Sequence, residues 1–180
     1  MVNGKLGLSY FLLTRELLEL LESSKPARII NVSSDAHFGV EIEFENLNGE
    51  KKFNSWKAYK KSKLANIMFT YELTKRLPND GLTVNCLHPG FVATKFGHNN
   101  VGIVGLSIRV SQKLSAISAK EGAKTSIFLA SSEYVEGVTG EYFYKCKPKN
   151  SSSESYDDGS MTKLWNVSEE ITKSYQDANQ

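Results

Sequence analysis

A tyrosine and a lysine, Tyr59 and Lys63, stand four residues apart in the segment AYKKSKLAN and are the pair best suited to chemistry. In an α-helix this spacing places both side chains on one face, one turn apart. A phenol has a pKa of about 10 and is a poor acid–base catalyst at neutral pH, but a neighbouring ammonium favours the phenolate. The pair therefore suits proton transfer at an alcohol or carbonyl oxygen, although Tyr-x-x-x-Lys also occurs by chance in ordinary amphipathic helices.

Other polar side chains allow two further kinds of site. Four residues have the side-chain types of a hydrolase triad: Ser34, Asp35, His37 and His88. The Gly-x-Ser-x-Gly turn that presents a nucleophilic serine does not occur in the sequence, which argues against a hydrolase. Cys86 and His88 alternate along one strand face and are compatible with a thiolate or a metal pair, but a buried, small apolar Cys86 is the simpler interpretation. Because no third ligand is visible, we predict no metal site.

Hydrophobic periodicity divides the chain into alternating helices and strands. Helices are expected at about 10–21, 56–76, 118–131 and 161–173, and short buried strands at 27–34, 82–87 and 141–144. Three connections differ from these elements: 35–55 is polar and irregular, 95–115 is an apolar, glycine-containing segment that we interpret as a substrate flap, and 151–155 is a serine-rich loop of low complexity. The alternation predicts an α/β fold with parallel strands joined by right-handed helical crossovers.

Size and composition are typical of a single folded domain. The 180 residues include 40% hydrophobic and 23% charged side chains, as in soluble globular proteins. A net charge of +2 without a dense basic stripe gives no basis for nucleic-acid binding. Two cysteines in unrelated contexts favour a reducing compartment, no apolar run reaches the ~20 residues that cross a bilayer, and the first residues lack the apolar core of a signal peptide. We therefore expect a cytoplasmic protein without a membrane segment.

Three segments, in order, resemble the short-chain dehydrogenase/reductase family. Residues 27–34 (ARIINVSS) resemble the family's strand that ends in a catalytic serine, and residues 58–66 (AYKKSKLAN) match its Tyr-x-x-x-Lys helix. Residues 84–94 (VNCLHPGFVAT) are similar to the strand and Pro-Gly turn that pass the nicotinamide. More narrowly, the KLAN sequence, the 25-residue offset from Ser34 to Tyr59, the His-Pro-Gly turn and the tail sequence LWNVS resemble the retinol dehydrogenase-like branch.

The resemblance implies an NAD(P)-dependent oxidoreductase built on the C-terminal part of a doubly wound, Rossmann-type parallel sheet with flanking helices. It makes Tyr59 the general acid/base and Lys63 the residue that stabilises the phenolate and binds the nicotinamide ribose. Ser34 would hold the substrate oxygen, with Ser33 as the alternative. Besides Tyr59 and Lys63, the residues expected to line the nicotinamide and its phosphates are Pro89, Gly90, Val92 and Thr94. The implied cofactor is NADP or NAD, with NADP slightly favoured, and the implied substrate is an aldehyde, ketone or alcohol, retinoid-like or otherwise apolar.

Part of the family's pattern has no counterpart in the sequence. The glycine-rich phosphate loop should precede the first helix, and Gly4-x-x-Gly7 does not replace it because no strand comes before it. The family's catalytic asparagine corresponds to Leu6 without a gap, and to Asn3 only if three residues are inserted. We therefore expect one partial domain over 1–180 that lacks the N-terminal βαβ unit and leaves the first strand with an unpaired edge.

The main alternative is a catalytically inactive fragment that acts through protein–protein contacts. In the family, the two long helices that correspond to 10–21 and 56–76 commonly form a dimer interface, which implies a possible homodimer here. Met68, Tyr71 and a leucine stripe on the first helix are candidate contacts, although core packing accounts for them equally well. Binding of NADPH distinguishes a working site from an inactive fragment.

Overall fold

A computed structural model describes residues 8–47, 49, 51, 53–78, 80–92 and 116–177. Helices and strands alternate along these residues, as the sequence predicts. In chain order they are α1 (Leu8–Ser23), β1 (Ala27–Val32), α2 (Ser55–Arg76), β2 (Leu82–Leu87), α3 (Ala119–Ser131), β3 (Tyr142–Tyr144), β4 (Lys147–Pro148) and α4 (Asp158–Asp177). Short 3₁₀ turns occur at Asp35–His37, Phe44–Asn46, Glu133–Val135 and Ser153–Tyr156.

The strands form one sheet in the order β1-β2-β3-β4. β1 and β2 are parallel, and their register pairs Ala27 with Leu82 and Val32 with Leu87. β3 is parallel to β2, whereas β4 is antiparallel to β3. All six residues of β2 (LTVNCL) are buried, because helices cover both faces of this strand. Its mainly apolar sequence suits burial on both faces. Within the described residues, β1 has a strand neighbour on one side only.

Helices pack on both faces of the sheet. On one face, Cys86 and Tyr142 lie in a core cluster with Leu64 and Met68 of α2. On the other face, Leu87 and Phe143 pack with Leu129 of α3. This arrangement confirms the predicted part of a doubly wound α/β fold, with a mainly parallel sheet between two helical layers.

The candidate dimer contacts on α2 belong to the chain's own core. Met68 is 1% exposed and Tyr71 is 7% exposed, because α4 and the segment before it cover this face of α2. Trp165 of α4 reaches over to α1, where its ring centroid lies 4.9 Å from that of Phe11. Of the two roles left open for Met68 and Tyr71, the structure therefore shows core packing, and a homodimer through the two long helices stays a prediction.

Two elements differ from the sequence-based expectation. β4 was not expected, because its hairpin turn uses Lys145 and Cys146 at φ 50° and 60°, where glycine or asparagine is the usual signal. α4 begins at Asp158 rather than Met161, because Asp157 caps it: the carboxylate accepts a hydrogen bond from the amide of Ser160 at 2.9 Å.

The described ranges hold neither a membrane-spanning helix nor a cluster of metal ligands. No helix there combines the length and hydrophobicity that crossing a membrane requires. The same residues contain no group of three or more His, Cys, Asp or Glu side chains placed to hold a metal ion. Cys86 and Cys146 are free thiols, and Cys86 is fully buried in the core, as predicted.

Candidate active site

Those predicted site residues that the structure describes lie at the carboxyl ends of the parallel strands, where open α/β sheets bind their ligands. Ser34 follows β1 by two residues, and Pro89 and Gly90 follow β2. Asn54 caps α2, since its Oδ1 accepts a hydrogen bond at 2.9 Å from an amide of the first turn. The cap sets where α2 begins and so brings Tyr59 to this end of the sheet.

Tyr59 and Lys63 meet on one face of α2, as their spacing predicts. The Nζ atom of Lys63 lies 5.6 Å from the centroid of the Tyr59 ring. Trp56 stacks on the same ring, with centroids 5.5 Å apart and planes 20° apart. Burial lowers the pKa of Lys63, because a partly desolvated ammonium loses hydration. The same loss of screening strengthens the field that this ammonium exerts on the neighbouring phenol.

Two other lysines near Tyr59, Lys57 and Lys61, bind the carboxylate of Glu43. Lys61 is 7% exposed, and its Nζ lies 2.7 Å from Oε2 of Glu43. Lys57 binds the other carboxylate oxygen of Glu43 at 2.5 Å. These two hydrogen bonds, from Lys57 and Lys61, lower the pKa of Glu43 to about 2. Glu43 therefore engages Lys57 and Lys61, whereas Lys63 lies at the ring of Tyr59.

Ser33 and Ser34 have different surroundings. Ser33 is 3% exposed, and its hydroxyl donates a hydrogen bond of 2.7 Å to the carbonyl oxygen of Lys63. Ser34 is half-buried, and its Oγ accepts a hydrogen bond of 3.2 Å from the amide of Ala36. An accepting hydroxyl keeps its hydrogen for a second partner, so Ser34 Oγ can still donate a hydrogen bond, whereas the hydroxyl hydrogen of Ser33 is already engaged.

The carbonyl oxygen of Val32, at the end of β1, accepts hydrogen bonds from three side chains. Tyr10 Oη lies 3.3 Å away, Lys63 Nζ 3.4 Å and Asn66 Nδ2 3.3 Å. The Oδ1 atom of Asn66 is buried and has no hydrogen-bond partner within the described residues. In the sequence, Asn66 is only the last residue of the motif AYKKSKLAN. Nothing there indicates that Tyr10 and Asn66 reach the Val32 carbonyl, because these contacts form only in the folded chain.

The Pro-Gly turn after β2 requires a glycine. Gly90 has φ +88°, and a Cβ at this position would lie 3.0 Å from Cδ1 of Ile117. Val92 forms a parallel bridge with Ile117 and packs so closely on Gly122 of α3 that a Cβ there would lie 2.5 Å from Cγ2 of Val92. Thr94, Asn3 and the expected 95–115 flap lie outside the described residues.

The two histidines near Ser34 are engaged in other bonds. His37 Nδ1 binds the carbonyl oxygen of Ser34 at 2.7 Å, not its hydroxyl. His88 Nδ1 accepts a hydrogen bond of 3.3 Å from the amide of Gly90, and its Nε2 lies 3.6 Å from Oδ1 of Asp35. In the described part of the chain neither imidazole binds Ser34 Oγ, so the structure offers no serine–histidine pair for hydrolysis.

Charge around Asp35 is balanced at the edge of the site. Burial alone would raise the pKa of Asp35, but a hydrogen bond of 2.8 Å from Lys149 Nζ and Coulombic interactions with His88, Lys149 and His37 together outweigh this and hold the pKa below its usual value. Burial lowers the pKa of His88 to about 4, so this imidazole is neutral at pH 7. It stacks on Tyr144 with ring centroids 4.1 Å apart.

The fold and this arrangement define a class of α/β protein with a tyrosine–lysine pair at the carboxyl edge of a parallel sheet. Residues 7–102 match the family described as short chain dehydrogenase. The match covers more than half of the sequence, and the chain belongs to this family.

Individual relatives agree with this assignment. The chain is 44% identical over 168 residues to retinol dehydrogenase 14 of Homo sapiens, covering 90% of this chain and 49% of the relative. It is 42% identical over 164 residues to retinol dehydrogenase 12 of Mus musculus, covering 91% and 51%. The chain thus spans about half the length of the curated relatives it matches.

Solved structures show the same fold. An uncharacterized protein from Mycobacterium Paratuberculosis superposes with a TM-score of 0.70 at 29% identity, over 93% of this chain and 57% of that chain. A short chain dehydrogenase from Salmonella enterica serovar Typhi superposes with a TM-score of 0.50 at 25% identity, over 74% and 47%.

Proposed function

We propose that this chain carries the proton-transfer site of an NAD(P)-dependent oxidoreductase that interconverts an alcohol and an aldehyde or ketone. The observation that carries the proposal is the placement of Lys63 Nζ 5.6 Å from the Tyr59 ring centroid, beside the end of β1. A bound nicotinamide would supply the hydride chemistry. The chain's own residues would hold the substrate oxygen and exchange its proton.

Each residue has one task in this proposal. Tyr59 Oη accepts the hydroxyl proton when an alcohol is oxidised and returns it to the carbonyl oxygen when an aldehyde is reduced. Lys63 stabilises the phenolate through its charge and offers donors to a ribose hydroxyl. Ser34 donates a hydrogen bond to the substrate oxygen, which keeps that oxygen within reach of the phenol.

The turn after β2 fits a flat ring that approaches the backbone closely. Gly90 presents main chain without a side chain, and Pro89 and Val92 flank it with apolar surface. We assign these three residues, together with Lys63 and Thr94, to the nicotinamide and its phosphates. The sequence resemblance slightly favours NADP over NAD.

The names of the relatives support one substrate class. Those with 39–46% identity carry the name retinol dehydrogenase, which supports a retinoid-like or other apolar alcohol and aldehyde. Trp56, stacked on Tyr59 and 58% exposed, offers an apolar surface beside the phenol. A cytoplasmic location stays a prediction from the sequence.

The test is a turnover assay on the 180-residue chain and on any longer gene product that contains it. Absorbance of reduced nicotinamide reports turnover of retinal and of shorter aliphatic aldehydes with NADPH or NADH. Tyr59→Phe should lower kcat at least about a hundredfold while cofactor affinity is retained. Tyr134→Phe is the matched control, because Tyr134 is 91% exposed and removed from the site.

The outcome separates the proposal from an inactive fragment. Turnover that Tyr59→Phe abolishes and Tyr134→Phe leaves intact supports the oxidoreductase. Equal turnover in all three proteins removes Tyr59 from the mechanism. Absence of both turnover and cofactor binding in every form of the protein overturns the proposal in favour of a protein that acts through contacts alone.

A further inference from the structure

His37 is fully buried at a junction between two distant segments. It ends the 3₁₀ turn Asp35–His37 that directly follows Ser34. Its exposed fraction is 0%, and its ring lies between those of Phe38 and Tyr142, with centroid distances of 4.1 Å and 5.2 Å. A buried imidazole with no metal cluster in the described residues must have its two nitrogens satisfied by the protein.

Two backbone groups identify the tautomer of this ring. The amide of Ser152 donates to His37 Nε2 at 3.0 Å, so Nε2 is an acceptor and carries no hydrogen. The hydrogen is therefore on Nδ1, which donates to the carbonyl oxygen of Ser34 at 2.7 Å. Burial also lowers the pKa of His37, which keeps the ring neutral. One neutral side chain thus bridges the backbone of Ser34 and that of Ser152, which lies 115 residues from His37 in the sequence.

The second anchor is held rigidly in its turn. Ser151 Oγ bonds to Tyr71 Oη at 2.7 Å and to Ser155 Oγ at 2.6 Å. Ser155 Oγ donates to the carbonyl oxygen of Ser152 at 2.6 Å. All three serines are buried, so the residues 151–156, which we call the serine strap, form a fixed support on α2 rather than a solvated loop.

We propose that His37 is a positioning residue for Ser34, which it ties to the serine strap and thereby to the C-terminal segment of the chain. The inference rests on the proposed function for the role of Ser34 in binding substrate. The carbonyl oxygen of Ser34 accepts from both the amide and the ring of His37, at 3.2 Å and 2.7 Å. These bonds hold the peptide that directs Ser34 Oγ, and the strap holds the ring.

Two substitutions separate the two bonds of the ring. In His37→Asn the side-chain amide can replace Nδ1–H and donate to Ser34, but nothing reaches Ser152. In His37→Gln the side-chain oxygen can replace Nε2 and accept from Ser152, but the donor to Ser34 is lost. Hydrogen exchange of two amides reports the result: Ser152 for the strap, and Ala36, which donates to Ser34 Oγ, for the site.

The expected pattern is opposite in the two variants. His37→Asn should raise exchange of the Ser152 amide at least about tenfold and leave kcat within about threefold. His37→Gln should leave Ser152 protected, raise exchange at Ala36 and lower kcat at least about tenfold with little change in cofactor KM. His88→Gln is the control, because His88 binds Gly90 rather than either amide and should change neither exchange rate.

Several results would overturn the inference. Equal exchange at Ala36 in both His37 variants would show that the ring does not position Ser34. If neither variant folds, ¹⁵N spectra of the unsubstituted protein decide, since a hydrogen on Nε2 contradicts the bridge. Amide exchange and the tautomer can both be measured without turnover. A protein that is inactive but shows the expected exchange at Ser152 and Ala36 would therefore contradict the oxidoreductase and still support the bridge through His37.

Discussion

Ser33 donates its hydroxyl hydrogen to the carbonyl oxygen of Lys63 across 2.7 Å, and this bond joins the end of β1 to the helix that carries Tyr59 and Lys63. Lys63 in turn donates from Nζ to the carbonyl oxygen of Val32 at 3.4 Å. The last strand residue and the serine after it are therefore both tied to one lysine. This double link aligns the strand end with α2 and does not involve the hydroxyl of Ser34, the next residue.

Ser33→Ala and Ser34→Ala should separate stability from activity. Loss of the Ser33 hydroxyl removes one buried hydrogen bond and should lower the free energy of unfolding by about 1 kcal/mol. Loss of the half-buried Ser34 hydroxyl should change this free energy by less, but should lower kcat at least about tenfold. Urea denaturation and the turnover assay measure the two effects. A larger loss of kcat in Ser33→Ala would assign substrate binding to Ser33.

Local spacing made part of the site predictable from the sequence. Tyr59 and Lys63 meet because residues four apart on a helix share a face, and this requires no knowledge of the rest of the fold. Ser34 could be placed at a strand end from its apolar run alone. The family resemblance favours Ser34 over Ser33, and the structure adds that the Ser33 hydroxyl is engaged with α2. Which serine binds the substrate stays a prediction.

The burial of the serine strap could not be predicted from the sequence, for a different reason. Its composition is that of a solvated loop, and its burial depends on Tyr71 and His37, which lie 80 and 115 residues away from their partners in the sequence. Hydrogen bonds between such distant segments leave no local pattern. The same holds for the carbonyl oxygen of Val32, whose donors come from α1 and α2.

Buried neutral histidines should make the protein less stable in mild acid. Burial lowers the pKa of His88 from 6.5 to about 4, and it lowers the pKa of His37 as well. Above pH 6.5 these histidines are neutral in both the folded and the unfolded chain, so their protonation costs no stability. As the pH falls from 6.5 towards 4, the histidines bind protons in the unfolded chain but not in the folded chain, so the free energy of unfolding falls. For His88 the loss approaches about 3 kcal/mol at the lower limit.

Thermal unfolding between pH 6.5 and 4.5 tests this expectation, because the carboxylates with lowered pKa, such as Asp35, titrate mainly below this range. His88→Phe preserves ring stacking on Tyr144 but cannot gain a proton. It should flatten the fall in Tm relative to the unsubstituted protein, whatever its Tm at pH 7. Parallel curves for the two proteins would show that His88 does not cause the acid sensitivity.

Gly122 in α3 should resist a substitution that helices ordinarily favour. Alanine in place of an interior helix glycine usually stabilises by up to about 1 kcal/mol. Here the new Cβ would lie 2.5 Å from Cγ2 of Val92, so α3 or the turn after β2 must shift. We expect Gly122→Ala to destabilise by about 1–3 kcal/mol instead, as overpacked sites do. Because Val92 flanks the proposed nicotinamide site, cofactor affinity should fall as well.

Two further variants identify the clash as the cause. Gly159→Ala in α4 is the matched control, because the nearest atom to its new Cβ, at 4.0 Å, is an ordinary contact, and it should be neutral or stabilising. Val92→Ala removes the obstructing methyl groups, so in the double variant Gly122→Ala should cost less than it does alone. Additive losses in this double-mutant cycle, measured by urea denaturation, would mean that Gly122 is required for a reason other than close packing against Val92.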